Sequence, residues 1–378
     1  MRAKIARGVG EGLALSRQLL LGVATTVVPC DRQGATVSRF FERLARLARE
    51  RGDEMIIFHP EHIDFAERRV TGYRLADGVP DHFVRAQARL PDAIYENVYV
   101  HLVVRGMTKH LRQGARAHGI PYFNPVIHGK WTMHRFVQAH PDCGMLVPET
   151  HPVHSGRTVH EMLTRYPAVY VKPVGGYGGL GVMRIRKLGT DYQVDADRFG
   201  RQGHLHKLLS TAQMNAFVHR VTRRSAHIVQ QQIPLIHLSG ARKVDFRVVV
   251  QRDGRGEWQV VGVVPKVTAE NGVVTNLVAG GSRGSWADIV RAQGADGARL
   301  SREPMETAAC RLAQMLSRRY PTLGLLGYDV GLDDKNRTWL IEVNPKPARS
   351  LLTSEMRNRS ARLAVDFTHY LATQRSDR

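Results

Sequence analysis

The stretch "LGLLGYDVGLDDKNRTWLIEVNP", residues 323–345, sets two apolar runs on either side of the polar segment Asp333–Arg337. That layout reads as a β-hairpin. Side chains alternate across a strand, so Leu340, Glu342 and Asn344 share one face and Trp339, Ile341 and Val343 the other. On the partner strand Gly327, Asp329 and Gly331 share a face, opposite Tyr328, Val330 and Leu332. A turn centred between Lys335 and Asn336 puts Asp329 directly opposite Glu342; a slip of one residue would undo that pairing. Opposed residues lie about 5 Å apart at Cβ, where like charges repel. Asn344, two residues on, lies roughly 7 Å from Glu342. A hairpin with one wet face would carry the same residues. The convergence of three oxygen donors beside small glycines favours Mg²⁺, which takes carboxylates and carbonyls and leaves its other positions to water and phosphate.

Working outward, "VYVKPVGGYGGLGVMRIRK" (residues 169–187) is a strand, five glycines within seven residues, and a second strand. Gly175, Gly176, Gly178, Gly179 and Gly181 let the backbone bend and bring N–H groups close to phosphate oxygens. No GK[ST] follows, which excludes a Walker A loop, and a strand rather than a helix comes next, which excludes the Rossmann fingerprint. A glycine-rich hairpin laid over phosphates fits the pattern, as would a plain flexible surface hairpin. Lys172, at the end of the first strand, would aim a compact cation at those phosphates.

"AHIVQQQIPL" (226–235) is a buried strand turning polar, whose edge could offer backbone groups to a purine. "KVDFRVVVQ" (243–251) alternates Val244, Phe246, Val248 and Val250 against Lys243, Asp245, Arg247 and Val249. "PKVTAENGVVTNLVAGGS" (265–282) adds Lys266, Asn276 and the pair Gly280–Gly281. Each also reads plainly as a half-exposed strand.

The chain has 378 residues, enough for two domains or one elaborated one. Its 55 Lys and Arg against 34 Asp and Glu give a net charge of +21, spread along the chain. Such a field attracts polyanions, whether nucleotides, acidic peptides, nucleic acid or an anionic surface, unless it simply reflects an arginine-rich solvated surface. No aromatic-rich basic motif points to nucleic acid. Cys30, Cys143 and Cys310 are odd in number and far apart, which argues against a disulfide framework or zinc ribbon and for a reducing, cytoplasmic setting. The apolar run Leu19–Pro29 lacks a small-x-small cleavage site and is too short to span a bilayer, so it reads as a first core strand rather than a signal or transmembrane segment.

Residues 36–60 place Phe40, Phe41, Leu44, Leu47 and Ala48 at helical spacing, then Gly52, then a short strand at Met55–Phe58. With Leu19–Pro29 this seeds a parallel sheet. A strand at Leu90–Val100, a helix at His101–Ala117 and a strand within Gly119–Pro125 complete a three-layer N-terminal part. The remainder is predicted as mixed and largely antiparallel. Helices are expected at Lys130–His140, Thr158–Arg165, Leu205–Arg220 and Arg302–Tyr320, with a further one from Ser354. Strands are expected at Ala168–Lys172, Gly181–Arg186, His227–Gln232, Lys243–Gln251 and Trp258–Lys266.

Taken in order, "FNPVIHGKWTMHRFV", "YVKPVGGYGGLGV", "IVQQQIPL", "DFRVVVQ", "VVTNLVAGG" and "GYDVGLDD…WLIEVNPKP" resemble the ATP-grasp superfamily, and within it the YheC/YheD-like, endospore coat-associated family. The resemblance is strong over 125–350 and looser before it. It implies an α/β preATP-grasp domain at 1–125 and an ATP-grasp domain at 126–378. The latter would divide near 230 into a glycine-loop subdomain and a metal-site subdomain that clasp ATP. Carried over by position, Lys130 and Lys172 would contact the nucleotide beneath Gly175–Gly181, and Gln231, Gln232 and Ile233 would form the hinge that meets adenine. Arg247 and Lys266 would face the γ-phosphate and acyl group with Asn276 nearby, and Lys346 would reach the acceptor side. Asp329, Glu342 and Asn344 would hold Mg²⁺, with Mn²⁺ as a substitute.

The implied reaction is ligation of a carboxylate to an amine or thiol through an acylphosphate, with anionic substrates suited to the charge. An ATP-grasp kinase of a polyanionic small molecule and a non-catalytic, nucleotide-binding coat-associated protein are the alternatives.

Overall fold

The computed structural model describes residues 18–28, 38–78, 82–124, 127, 129–176, 178–200, 203–238 and 242–376. Cys30 and Pro125, the expected domain boundary, lie outside them. Strand β1 (Leu20–Ala24) is buried along its whole length, as a core strand should be. Helix α1 (Arg39–Glu50) turns Phe40, Phe41, Leu44, Ala45 and Ala48 inward, and β2 (Glu54–Phe58) returns parallel to β1. Strands β3 (Ile63–Asp64), β4 (Arg69–Leu75) and β5 (Phe83–Arg89) add an antiparallel flap. The sequence pattern does not announce this flap, because most of β5 faces solvent.

Strand β6 (Ala93–Glu96), helices α2 (Val100–Val104) and α3 (Lys109–Ala117), and β7 (Tyr122–Phe123) complete the unit. Its sheet order is β3-β4-β2-β1-β6-β7, with β5 beside β4. Two expectations are corrected here. The strand at Leu90–Val100 shrinks to four residues, and the helix at His101–Ala117 breaks in two where Gly106 takes φ +94°. Only glycine enters that left-handed region without strain.

The second sheet follows helix α4 (Lys130–Gln138) and comprises β8 (Thr150–Pro152), β9 (Ala168–Pro173), β10 (Met183–Leu188), β11 (Asp191–Ala196), β12 (Leu205–Leu209) and β13 (His227–Gln231). Its order is β12-β11-β10-β9-β13-β8, antiparallel throughout. Helices α5 (Gly156–Arg165) and α6 (Thr211–Thr222) cover one face through Val159, Met162, Met214, Phe217 and Val218. Leu205–Leu209, expected as the start of a helix, is instead an edge strand paired with β11. Sheet pairing overrides the helix preference of its leucines. The helix proper starts at Ser210, whose side chain and that of Gln213 cap each other's backbone N–H.

The third sheet holds β14 (His237–Leu238), β15 (Arg242–Arg252), β16 (Trp258–Val267), β17 (Ser282–Arg283), β18 (Leu325–Leu332) and β19 (Thr338–Asn344). Its order is β17-β16-β15-β18-β19, with β14 beside β15. Helices α7 (Trp286–Ala292) and α8 (Glu303–Arg319) pack on the face that carries Val244, Phe246, Val248 and Val250. Helix α9 (Ser354–Ser376) bridges the molecule. Its Ala361, Ala364, Val365 and Phe367 join the core formed by β1 and α1, while Met356 and Leu363 pack on Val249, Val261 and Val264.

The hairpin has the predicted pairing by an unpredicted route. Its turn is centred on Lys335, so Leu332 faces Thr338, Gly331 faces Trp339 and Val330 faces Leu340. A bulge past Asp329 then takes up Ile341 and restores Asp329 opposite Glu342. Leu340 therefore lies with Val330 in the core and not on the face of Glu342, a correction to strict alternation.

Candidate active site

The second and third sheets face each other across a cleft, with α4 closing one side. Lys130, Met133, His134, Lys172, Gln230 and Glu342 line it, together with Val147, Ile228 and the Leu340–Val343 strand. The cleft is narrow, with a cavity volume of about 30 Å³.

On the second sheet, Ile228 stands opposite Lys172 and Gln230 opposite Tyr170, so all four point away from the Val169–Val171–Val229 core, and Lys172, Ile228 and Gln230 line the cleft. The Lys172 ammonium is hydrogen-bonded to Gln230 Oε1, and Gln230 Nε2 donates to Thr150 Oγ1 at 3.0 Å. Gln230 was not among the expected contacts. Gln231 turns the other way, where Oε1 accepts from the Glu149 N–H at 3.0 Å. Gln232 N donates to the Ala168 carbonyl at 3.1 Å, and Gln232 Oε1 is buried without a partner. Ile233 is buried, its carbonyl taken by Leu235 N.

The glycine loop leans on the third sheet. Lys130 Nζ donates to the Gly176 carbonyl at 2.8 Å, and Arg198 to that of Gly178 at 2.8 Å. Gly179 takes φ +73°, and a Cβ there would sit 3.0 Å from Val274 and 3.7 Å from Asn276. The loop can approach that segment only because position 179 lacks a side chain. Gly178 and Gly181 share the left-handed conformation, whereas Gly175 meets nothing within 4 Å. Asn276 caps the short turn Leu277–Ala279 through Val278 N, opposite Gly179.

On the third sheet, β15, β18 and β19 set Arg247, Asp329 and Glu342 in one row. Arg247 grips Asp329 with two bonds, at 2.7 and 3.2 Å, and Lys266 lies 3.0 Å from both Asp329 and Asp245. Thr275 Oγ1 donates to Asp245 at 2.5 Å. Two cations thus meet two carboxylates in a nearly dry cluster. Burial raises the Asp329 carboxyl, but Arg247 and Lys266 outweigh it and hold the group well below the usual range. Asp245 shares the face of Arg247 and is a further member of the cluster, and its alternation with Lys243 and Arg247 is the sequence signal that marks it. Glu342 is one-third exposed and lies 3.3 Å from Lys130.

Lys346, expected on the acceptor side, reaches back to the N-terminal unit. Its ammonium bonds Glu96 Oε1 at 2.9 Å and the Glu96 carbonyl at 3.2 Å. Glu96 is fully buried and also takes a two-point grip from Arg112. Asn124 Nδ2 donates to the Pro345 carbonyl at 3.0 Å. The end of the acidic hairpin is therefore tied to the N-terminal unit.

Two carboxylates face to face with an amide two residues on are the hard-oxygen donors Mg²⁺ takes. Arg247 and Lys266 both take Asp329 Oδ1, but Asp329 Oδ2, which accepts from Arg247 at 3.2 Å, and Asn344 Oδ1, which accepts from Lys346 N at 3.0 Å, each keep a further lone pair. Among the described residues no group of three or more His, Cys, Asp or Glu side chains forms a denser cage. The donor set suits a metal that shares its ligands with phosphate.

The Lys172 ammonium is pulled down to about 8, first by loss of solvent, with Glu342 opposing and Lys130 adding to the shift. A depressed lysine is a cation below that pH and neutral above it. Affinity for ATP is therefore expected to fall by up to about tenfold per unit as pH rises above 8. Titration calorimetry from pH 7 to 9.5 checks this, and Lys172→Met should bind weakly at every pH without that slope.

A glycine-rich loop on one antiparallel sheet, set across a cleft from an acidic hairpin on another, defines an ATP-grasp fold. Solved structures of similar fold include a RiPP-associated ATP-grasp ligase of Chryseobacterium gregarium, in complex with ADP and a leader and core peptide (TM-score 0.52, 10% identity, 93% of this chain and 97% of that one). Another is the ATP-grasp ligase PsnB with minimal precursor, Mg and ADP (TM-score 0.51, 12% identity, 93% and 98%). Residues 119–371 match the YheC/D-like ATP-grasp family, and the chain belongs to it. Two Bacillus subtilis relatives are the endospore coat-associated proteins YheD (23% identity, 88% of this chain and 74% of YheD) and YheC (24%, 81% and 84%). Among the described residues no helix is long and apolar enough to cross a membrane.

Proposed function

We propose that the chain is an ATP- and Mg²⁺-dependent ligase that joins a carboxylate to an amine or thiol, with release of ADP and phosphate. The observation that carries this reading is the row Arg247–Asp329–Glu342 across the cleft from Lys172 and Lys130. Charge in phosphoryl transfer gathers on phosphate oxygens, where fixed cations stabilise it most. Lys130 and Lys172 would hold the nucleotide phosphates beneath the glycine loop. Arg247 and Lys266, kept in place by Asp329 and Asp245, would meet the γ-phosphoryl group. A substrate carboxylate attacks γ-phosphorus, the bond to the β-phosphate oxygen breaks, and an acylphosphate and ADP result. The amine or thiol then attacks the acyl carbon and inorganic phosphate leaves. Mg²⁺, when held by Asp329, Glu342 and Asn344, supplies further neutralisation of phosphate charge.

A net charge of +21 favours an anionic substrate, and the peptide complexes of the two ATP-grasp ligases make an acidic peptide or polymer the first class to try. The names of the relatives suggest a setting at the spore coat. The test is an ADP-release screen over amino acids and short acidic peptides, read by mass spectrometry. The expected result is ADP formation that requires both a carboxylate and an amine or thiol, with a product lighter than the two together by one water. A product that retains the phosphate would overturn the ligase reading.

A further inference from the structure

A histidine in the cleft stands outside its ion pairs and its hydrogen bonds. His134 lies one helical turn beyond Lys130 on α4, which brings both to the cleft side. It is 8% exposed, and its Nε2 is buried without a hydrogen-bond partner. Its ring stacks on Trp131, with centroids 5.6 Å apart and planes 11° from parallel, so its orientation is fixed.

A histidine buried for structure alone normally satisfies its ring nitrogens, because a desolvated donor or acceptor left empty opposes folding. Here the ring borders a slot walled by Met133, Val147, Ile228 and Leu340, apolar surfaces suited to a flat ring. Burial and the nearby charges of Lys172 and His151 hold the imidazole down at about 4, so it is neutral at physiological pH. A neutral ring is a poor clamp for phosphate and a good partner for an uncharged heterocycle.

We infer that His134 is a base-contacting residue, whose Nε2 hydrogen-bonds the edge of the purine when a nucleotide enters the cleft. This rests on the reading of the cleft as an ATP site. Gln230, opposite, would complete the polar frame around the ring, with Lys172 beside it directed to the phosphates.

The test uses the full chain, with His134→Ala and with His134→Phe, which keeps the ring stacked on Trp131 but removes both nitrogens. Melting curves first verify that both variants fold. Both are expected to bind ATP about tenfold more weakly by calorimetry. In ¹⁵N-histidine-labelled protein, the imidazole resonances absent from His134→Phe should move on addition of ATP. Tripolyphosphate, which carries the phosphates without a base, should leave them in place. Wild-type affinity in His134→Phe, resonances unmoved by saturating ATP, or an equal shift with tripolyphosphate would each overturn the inference while leaving the ATP site intact. Wild-type protein that binds no ATP would remove both readings together.

Discussion

Glu342→Gln is expected to cut ADP formation at least about 100-fold while the melting temperature stays within a few degrees of wild type. The two effects separate because of where Glu342 sits. One-third of its side chain is exposed, and its partner Lys130 lies 3.3 Å away in a direct, partly exposed pair. An ion pair of that kind contributes at most about 1 kcal/mol to stability. Its charge nevertheless lines the cleft, opposite Asp329, where on the proposed reading it would hold Mg²⁺. The amide keeps the shape and one acceptor oxygen but loses the anion. Coupled-enzyme detection of ADP, with melting curves on the same preparations, is the measurement. Full turnover in the variant would sink the assignment of the hairpin.

Asp329→Asn is expected to behave in the opposite proportion. It should lower stability by about 3 kcal/mol or more, because removing one partner strands buried charge. Arg247 and Lys266 would then share Asp245 alone, with an uncompensated cation in a nearly dry site. Urea denaturation at pH 7 gives the loss directly. The sign with pH follows from the depressed carboxyl: its contribution is complete above the ordinary aspartate range and is lost only as pH falls toward its lowered value. The gap between wild type and Asp329→Asn should thus be full at pH 7 and close only in strong acid. Loss of ADP formation is expected as well, but stability is the diagnostic readout.

The parts of this site legible in the sequence were those set by short-range periodicity. A polar turn between alternating strands located the hairpin, and five glycines between two strands located the loop. The bulge at Ile341 was not legible, since nothing local distinguishes a five-residue turn plus a bulge from a shifted turn with none. Both give Asp329 opposite Glu342, and only the burial of Leu340 with Val330 tells them apart. Three successive glutamines carry no alternation signal, and the cleft-facing one is chosen by the register of β13 on β9. His134 could have been found, since its spacing from Lys130 is that of one helix face. Lys346 could not. Its tie to Glu96 spans 250 positions and depends on how the N-terminal unit meets the hairpin.

Helix α9 has a consequence for the order of synthesis. The strands and helix of residues 20–58 complete their core only with Ala361, Ala364 and Phe367, and Arg51 meets Asp366 across 315 positions. A ribosome making about 5–20 residues per second therefore releases the first strands long before their cover exists. The nascent N-terminal sheet must wait, with an apolar face open, until the acidic hairpin has already been made. A chain cut before Ser354 would keep every residue assigned to the cleft and lose the seal on both sheets.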